Sequence, residues 1–156
     1  MDISAELSAP CSVPELFSWI DDLSRYTPWM GLVHRADRVE DRDGRPAWDV
    51  ELRARIGPFS RSKRLTMTRV VCRTNAEVVF ERSETDERQH SMWRLSAMVA
   101  ATESTTTSAT GFESHLEMRL HYGGGLWTGG LVERALADEI NNSRDRLLSL
   151  IAGTTP

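Results

Sequence analysis

The stretch that decides the fold is Gly130–Ile151, GLVERALADEINNSRDRLLSLI. Leu131, Val132, Ala135, Leu136, Ile140, Leu147, Leu148 and Ile151 form an apolar stripe at helical spacing. At 1.5 Å per residue the helix runs about 33 Å, long enough to cross a sheet of six or seven strands diagonally. Such a stripe needs a broad apolar surface to cover it, and the rest of the chain supplies one.

Working backwards, residues 111–122 alternate cleanly. Phe112, Ser114, Leu116, Met118, Leu120 and Tyr122 oppose Glu113, His115, Glu117, Arg119 and His121. Residues 90–102 place Trp93, Leu95, Ala97 and Val99 on one face, and residues 76–83 place Ala76, Val78, Phe80 and Arg82 on one face. Leu65, Met67 and Val71 mark a strand over 60–72. The clearest strand holds Trp48, Val50, Leu52, Ala54 and Ile56 against Asp49, Glu51, Arg53 and Arg55. Residues 32–42 alternate more weakly, and 2–8 alternate with Ile3, Ala5 and Leu7 on one side. Asp43-Gly44, Gly57-Pro58, Arg73-Thr-Asn75, the polar segment 84–89 and the small, polar 103–110 are the turns between strands.

After the first strand, Ser12-Val-Pro-Glu15 reads as a capping box. It opens a short helix with Leu16, Phe17 and Ile20 on its apolar side. Asp21–Tyr26 is expected to be a second short helix, stopped by Pro28. The order is strand, two short helices, six strands, long helix. That predicts an α+β fold in which a curved antiparallel sheet of about seven strands wraps the terminal helix. No repeat or boundary divides the chain, so 1–156 is expected to be one domain.

Composition narrows the function. The 156 residues are 40% hydrophobic and 27% charged, which is ordinary for a globular protein. A net charge of −4 argues against a general nucleic-acid binder. Only Cys11 and Cys72 are present, too few for a disulfide framework or a thiolate metal site. The first residues lack a secretory pattern and no apolar run could span a bilayer, so a cytoplasmic protein is expected. Of the 19 basic residues only Lys63 is lysine, a skew suggesting a GC-rich bacterial source. Residues 32–73 hold 11 basic and 6 acidic residues. This basic region leaves a peripheral membrane contact open, but interspersed signs favour a solvated face with Asp49 and Glu51 set against Arg61 and Lys63.

Several segments carry a resemblance. They are the Pro10-to-Leu16 entry with Phe17, Asp22-Leu-Ser-Arg-Tyr-Thr-Pro-Trp29, Phe80-Glu-Arg82, Trp93-Arg-Leu95, and Tyr122-Gly-Gly-Gly leading into the long helix. With the element order, they make the chain resemble the helix-grip fold of the START-related, Bet v 1-like (SRPBCC) superfamily, within it the polyketide cyclase/dehydrase and lipid-transport group. The resemblance implies a cavity between sheet and helix that takes a hydrophobic small molecule such as a lipid, a polyketide or a quinone-like compound. It also implies that the loop near 57–59 and the glycines at 123–130 gate that cavity.

The residues point the same way, since one straight helix cannot fill a strongly curved sheet and the remaining space is a pocket. The inward faces offer Trp48, Val50, Leu52, Leu65, Met67, Phe80, Trp93, Leu95, Leu116 and Met118, and the helix offers Leu136 and Ile140. Each could equally pack as core. Arg82 shares a face with Val78 and Phe80 and could hold an anionic oxygen. At the strand end it could instead reach solvent, and the cost of burying an unpaired charge favours that. Ser114 and Tyr122 could donate hydrogen bonds at the pocket, while Lys63 is expected to point outward. Glu139 and Asn142 sit at the edge of the helix stripe and are expected to be solvated.

Glu113, His115 and Glu117 lie on the face opposite the apolar one, so no metal site is expected, and no cofactor. Catalytic residues cannot be named, because no nucleophile elbow, phosphate loop or convergent acid–base pair is visible. Three functions follow: carriage of a hydrophobic ligand by a monomer or homodimer, a cyclase, aromatase or dehydratase, or an interaction module with a closed core. A cavity of only tens of Å³ would rule out the first two.

Overall fold

The computed structural model describes residues 2–84, 90–102, 113–123 and 130–154. The turn at 84–89, the loop at 103–110, Phe112 and the glycine-rich Gly124–Gly129 lie wholly or almost wholly outside the described residues. Seven strands are present: β1 (Asp2–Ala9), β2 (Val33–Arg42), β3 (Arg45–Ile56), β4 (Phe59–Arg73), β5 (Glu77–Arg82), β6 (Trp93–Ala101) and β7 (Ser114–Tyr122). They form one antiparallel sheet in the order β1-β7-β6-β5-β4-β3-β2. Between β1 and β2 lie a short helix α1 (Val13–Ser18) and a 3₁₀ turn (Leu23–Arg25); α2 (Gly130–Thr154) follows β7. This is the helix-grip architecture.

Local chemistry sets the entry segment. Ser12 caps α1, its hydroxyl accepting from the Glu15 N–H at 3.3 Å, and a proline stands in the first turn. The second expected helix shortens to a single 3₁₀ turn. Asp22 begins it, its carboxylate accepting from the Ser24 N–H at 2.9 Å. With Pro28 close behind, no longer helix can form.

Two tight turns fix register. Asp43 and Gly44 both take positive φ (52° and 75°), the geometry of a two-residue hairpin turn that suits strand twist. At the next turn Gly57 has φ 61° ahead of Pro58, and Ile56 pairs with Phe59. That closure pairs Leu52 with Lys63 and Glu51 with Arg64. The expected opposition of Asp49 and Glu51 to Arg61 and Lys63 is therefore corrected. Asp49 accepts from the Thr66 hydroxyl at 3.1 Å, Glu51 takes Arg53 at 3.3 Å, and Arg61 and Lys63 face the other way. Register shifts in β2 and between Arg69 and Val71 in β4 supply local bends that help curve the sheet.

The concave face and α2 share one apolar core. Val132, Leu136, Leu147 and Ile151 of α2 join Leu7, Trp48, Val50, Leu65, Phe80 and Leu116 in it. Leu131, placed on the stripe by its spacing, is instead 75% exposed, while Val132 beside it is buried. Glu139 pairs with Arg146 at 2.9 Å and Asn142 is exposed. Gly31 approaches α2 so closely that a Cβ there would lie 1.9 Å from the Glu139 carboxylate, and its N–H donates to Ser143 Oγ at 3.3 Å. No helix among the described residues is long and apolar enough to cross a membrane.

An aromatic cluster joins the entry segment to the sheet. Tyr26 lies 4.8 Å from Trp29 and 6.2 Å from Phe80, and Phe80 packs edge-on to Trp48 at 5.5 Å. The buried Tyr26 hydroxyl donates to the Ile20 carbonyl at 2.8 Å. Tyr26→Phe strands that carbonyl and is expected to lower stability by about 1–3 kcal/mol in urea denaturation, with the slope of the transition unchanged. A loss below about 0.5 kcal/mol would show that water reaches Ile20.

Candidate functional site

Between the sheet and α2 lies a cavity of about 60 Å³. Its fifteen lining residues are all apolar: Ile3, Ala5, Leu23, Met30, Leu32, Val33, Val50, Leu52, Leu65, Met67, Trp93, Leu95, Met118, Leu120 and Ile140. They come from β1, the 23–33 segment, β3, β4, β6, β7 and α2. Strand alternation turns Val50 and Leu52, Leu65 and Met67, Trp93 and Leu95, and Met118 and Leu120 to the same side.

Eight residues named from the sequence line this space: Val50, Leu52, Leu65, Met67, Trp93, Leu95, Met118 and Ile140. Others stand elsewhere. Trp48, Phe80, Leu116 and Leu136 are core residues at most 2% exposed. Trp48 donates from its indole to the Asp22 carboxylate at 3.1 Å, and that bond together with the edge contact to Phe80 holds its ring away from the cavity. The Ser114 hydroxyl donates to the Cys11 carbonyl at 2.6 Å, a structural bond at the end of β7. Burial pushes the neighbouring Cys11 thiol up to about 11. Tyr122 is fully buried and stacked on Trp93 at 4.9 Å, behind the wall that Trp93 presents.

Arg82 takes neither role expected of it. Its side chain is 9% exposed, so it does not reach out to solvent, and it does not line the apolar cavity. Nε contacts both oxygens of Glu84 at 2.7 Å, and the other nitrogens reach Ser91 at 3.2 Å and His90 at 3.0 Å. A guanidinium so engaged is neutralised within the base of the β5–β6 hairpin. Arg82 and Glu84 help line an open polar hollow with Arg35, Asp49, Glu51 and Arg64.

Lys63, expected to point outward, instead shares the inward face of β4. Its Cα partner Leu52 lines the cavity, and its ammonium stands 5.7 Å from the centroid of the Trp93 ring. Burial and the nearby Arg82 charge hold its pKa below the ordinary lysine value, with Glu84 opposing. Alternation in 61–67 contains this signal, since Lys63 shares parity with Leu65 and Met67. Ile3, Ala5 and Leu120 are legible on the same grounds. Leu23, Met30 and Leu32 are not, because they sit on the 3₁₀ turn and the irregular backbone before β2, and Val33 opens β2, whose alternation is weak.

On the outer side of β1 and β7, His121 meets Asp2 at 2.7 Å and His115 lies 4.0 Å from Glu6, while Glu117 is taken by Arg119. Among the described residues no three metal-ligating side chains converge.

No protein-family model matches the sequence, and no curated protein matches it. Solved structures do. A START superfamily protein from Mycobacterium smegmatis is 14% identical over 99% of each chain, with a TM-score of 0.69. The Zhui aromatase/cyclase from Streptomyces sp. R1128 is 9% identical over 97% of this chain and 93% of its own, at 0.64. Ginseng major latex-like protein 151 from Panax ginseng is 10% identical over 100% and 98%, at 0.63. These likenesses show that the chain has the helix-grip fold of START and Bet v 1-like proteins.

Arg82→Met leaves Glu84, only 14% exposed, without its cation. The expected loss in urea denaturation is roughly 2 kcal/mol, less than the 3–5 typical of a fully buried pair. A change within about 0.5 kcal/mol would show that the pair is effectively solvated.

Proposed function

We propose that this protein binds a hydrophobic small molecule between its sheet and α2. The observation that carries the reading is the uniformly apolar lining contributed by five strands, α2 and the 23–33 segment. At tens of Å³ the cavity has the size expected to exclude a ligand, so the reading requires the cavity to enlarge on binding. About 60 Å³ holds no lipid or polyketide and is well below the ~150 Å³ of an engineered apolar cavity that binds benzene. A ligand must therefore displace lining side chains. Three of these, Met30, Met67 and Met118, are unbranched thioethers that repack at little cost. Ligand classes compatible with such a wall are an acyl chain, a polyketide fragment or a quinone-like ring.

Catalysis is the weaker reading. The matched aromatase/cyclase places a cyclase among proteins of this fold. Acid–base chemistry needs at least one pair of convergent ionisable groups, and the described lining residues provide none. The small volume favours a different second reading, an interaction module whose core stays closed.

Two measurements separate these readings. Native mass spectrometry of protein purified from its own host should show a reproducible small-molecule adduct. Repeated absence of any adduct would favour the closed core. Val50→Phe fills the cavity from β3 and is expected to abolish the adduct at a stability cost of about 1–3 kcal/mol. An adduct that persists in a folded Val50→Phe protein would place the ligand elsewhere.

A further inference from the structure

Resting on the ligand-binding reading above, we infer that the ligand carries an anionic head, a carboxylate, held by Lys63 and Arg61 where β4 meets the Leu52–Trp93 end of the cavity. Lys63 and Arg61 are two apart on β4 and share the face of Leu65 and Met67, with Cα atoms about 6.6–6.8 Å apart. That spacing lets both side chains converge on one head group. Their cross-strand partners are Leu52 and Ala54, the first a cavity wall and the second buried.

Two observations point to a missing anion. Arg61 Nε is buried and meets no acceptor among the described residues. A buried guanidinium N–H without an acceptor is costly, and a ligand oxygen would satisfy it. Lys63 is held over Trp93, and the acid near it, Glu84, already gives both its oxygens to Arg82. Among the described residues, the charges that act on Lys63 are those of Arg82 and Glu84, which are already paired with each other. The local charge is positive in a chain whose net charge is −4. A carboxylate entering there offsets that excess, and its tail points along Leu52, Leu65 and Trp93 into the apolar space. A planar guanidinium and a mobile ammonium suit a planar, two-oxygen head.

The test compares octanoate with 1-octanol, which share a tail and differ in charge, by displacement of a fluorescent apolar probe at low salt. The expected result is octanoate binding at least tenfold more tightly than octanol. In Lys63→Met and Arg61→Gln that preference should fall to threefold or less, while octanol binds as before. The retained octanol affinity shows that the variants fold. Equal affinities in the unaltered protein would overturn the assignment alone, and so would a preference that survives both substitutions. Binding of neither probe would overturn the ligand reading together with it. Octyl phosphate binding more tightly than octanoate, with the same loss in both variants, would overturn the carboxylate in favour of a phosphate head.

Discussion

The hydrogen bond from the Trp48 indole to the Asp22 carboxylate is the tie on which the interior depends. The same carboxylate caps the 3₁₀ turn through the Ser24 N–H, so one acid fixes both the start of the turn and its place on β3. Arg69 adds a second tie, donating from β4 to the Asp21 carbonyl at 2.8 Å. With those in place, Tyr26 packs onto Phe80 and Trp29 onto Tyr26. The chain then runs on through Met30, Leu32 and Val33 as one wall of the cavity. The 23–33 segment and α2 lie together in the concavity, with Leu16 and Phe17 of α1 in the same core. The segment and α2 meet at Gly31, where even a methyl group would collide with the Glu139–Arg146 pair. The interior is small because it is filled from two sides.

Parity decides which charges reach that interior. The two-residue turn at Gly57-Pro58 commits β4 to a register in which Arg61 and Lys63 fall on the side of Leu65 and Met67. A single-residue slip would send both to solvent and bring Arg64 and Thr66 inward. Arg82 also shares the inward parity, through its partner Met67, yet its charge is spent on Glu84. A face assignment tells where a side chain starts, while partners reached through loops decide where its charge ends.

This accounts for what could be read in the sequence. Strand alternation and the stripe of α2 carry a period, so the sheet, its order of elements and eleven of the cavity residues are legible. Lys63 is equally legible by parity, since it shares the face of Leu65 and Met67. Arg82 is not, because Glu84, His90 and Ser91 belong to the end of a hairpin whose geometry no period encodes. Met30, Leu32 and Val33 owe their place to Asp22 and Trp48, a contact across 26 positions between a turn and a strand. The size of the void is also illegible, since it is a small difference between the volume the sheet encloses and the volume the packed elements fill.

The central claim is that this void opens for an apolar ligand by movement of methionine side chains. The chain has six methionines. Met30, Met67 and Met118 line the cavity, whereas Met92 and Met98 are 62% and 49% exposed. Methyl NMR of methionine-labelled protein titrated with 1-octanol reads them separately. Saturable shifts of the Met30, Met67 and Met118 methyls are expected, with Met92 and Met98 unmoved. No saturable shift at the three lining methionines, or shifts confined to the two exposed ones, would contradict that claim.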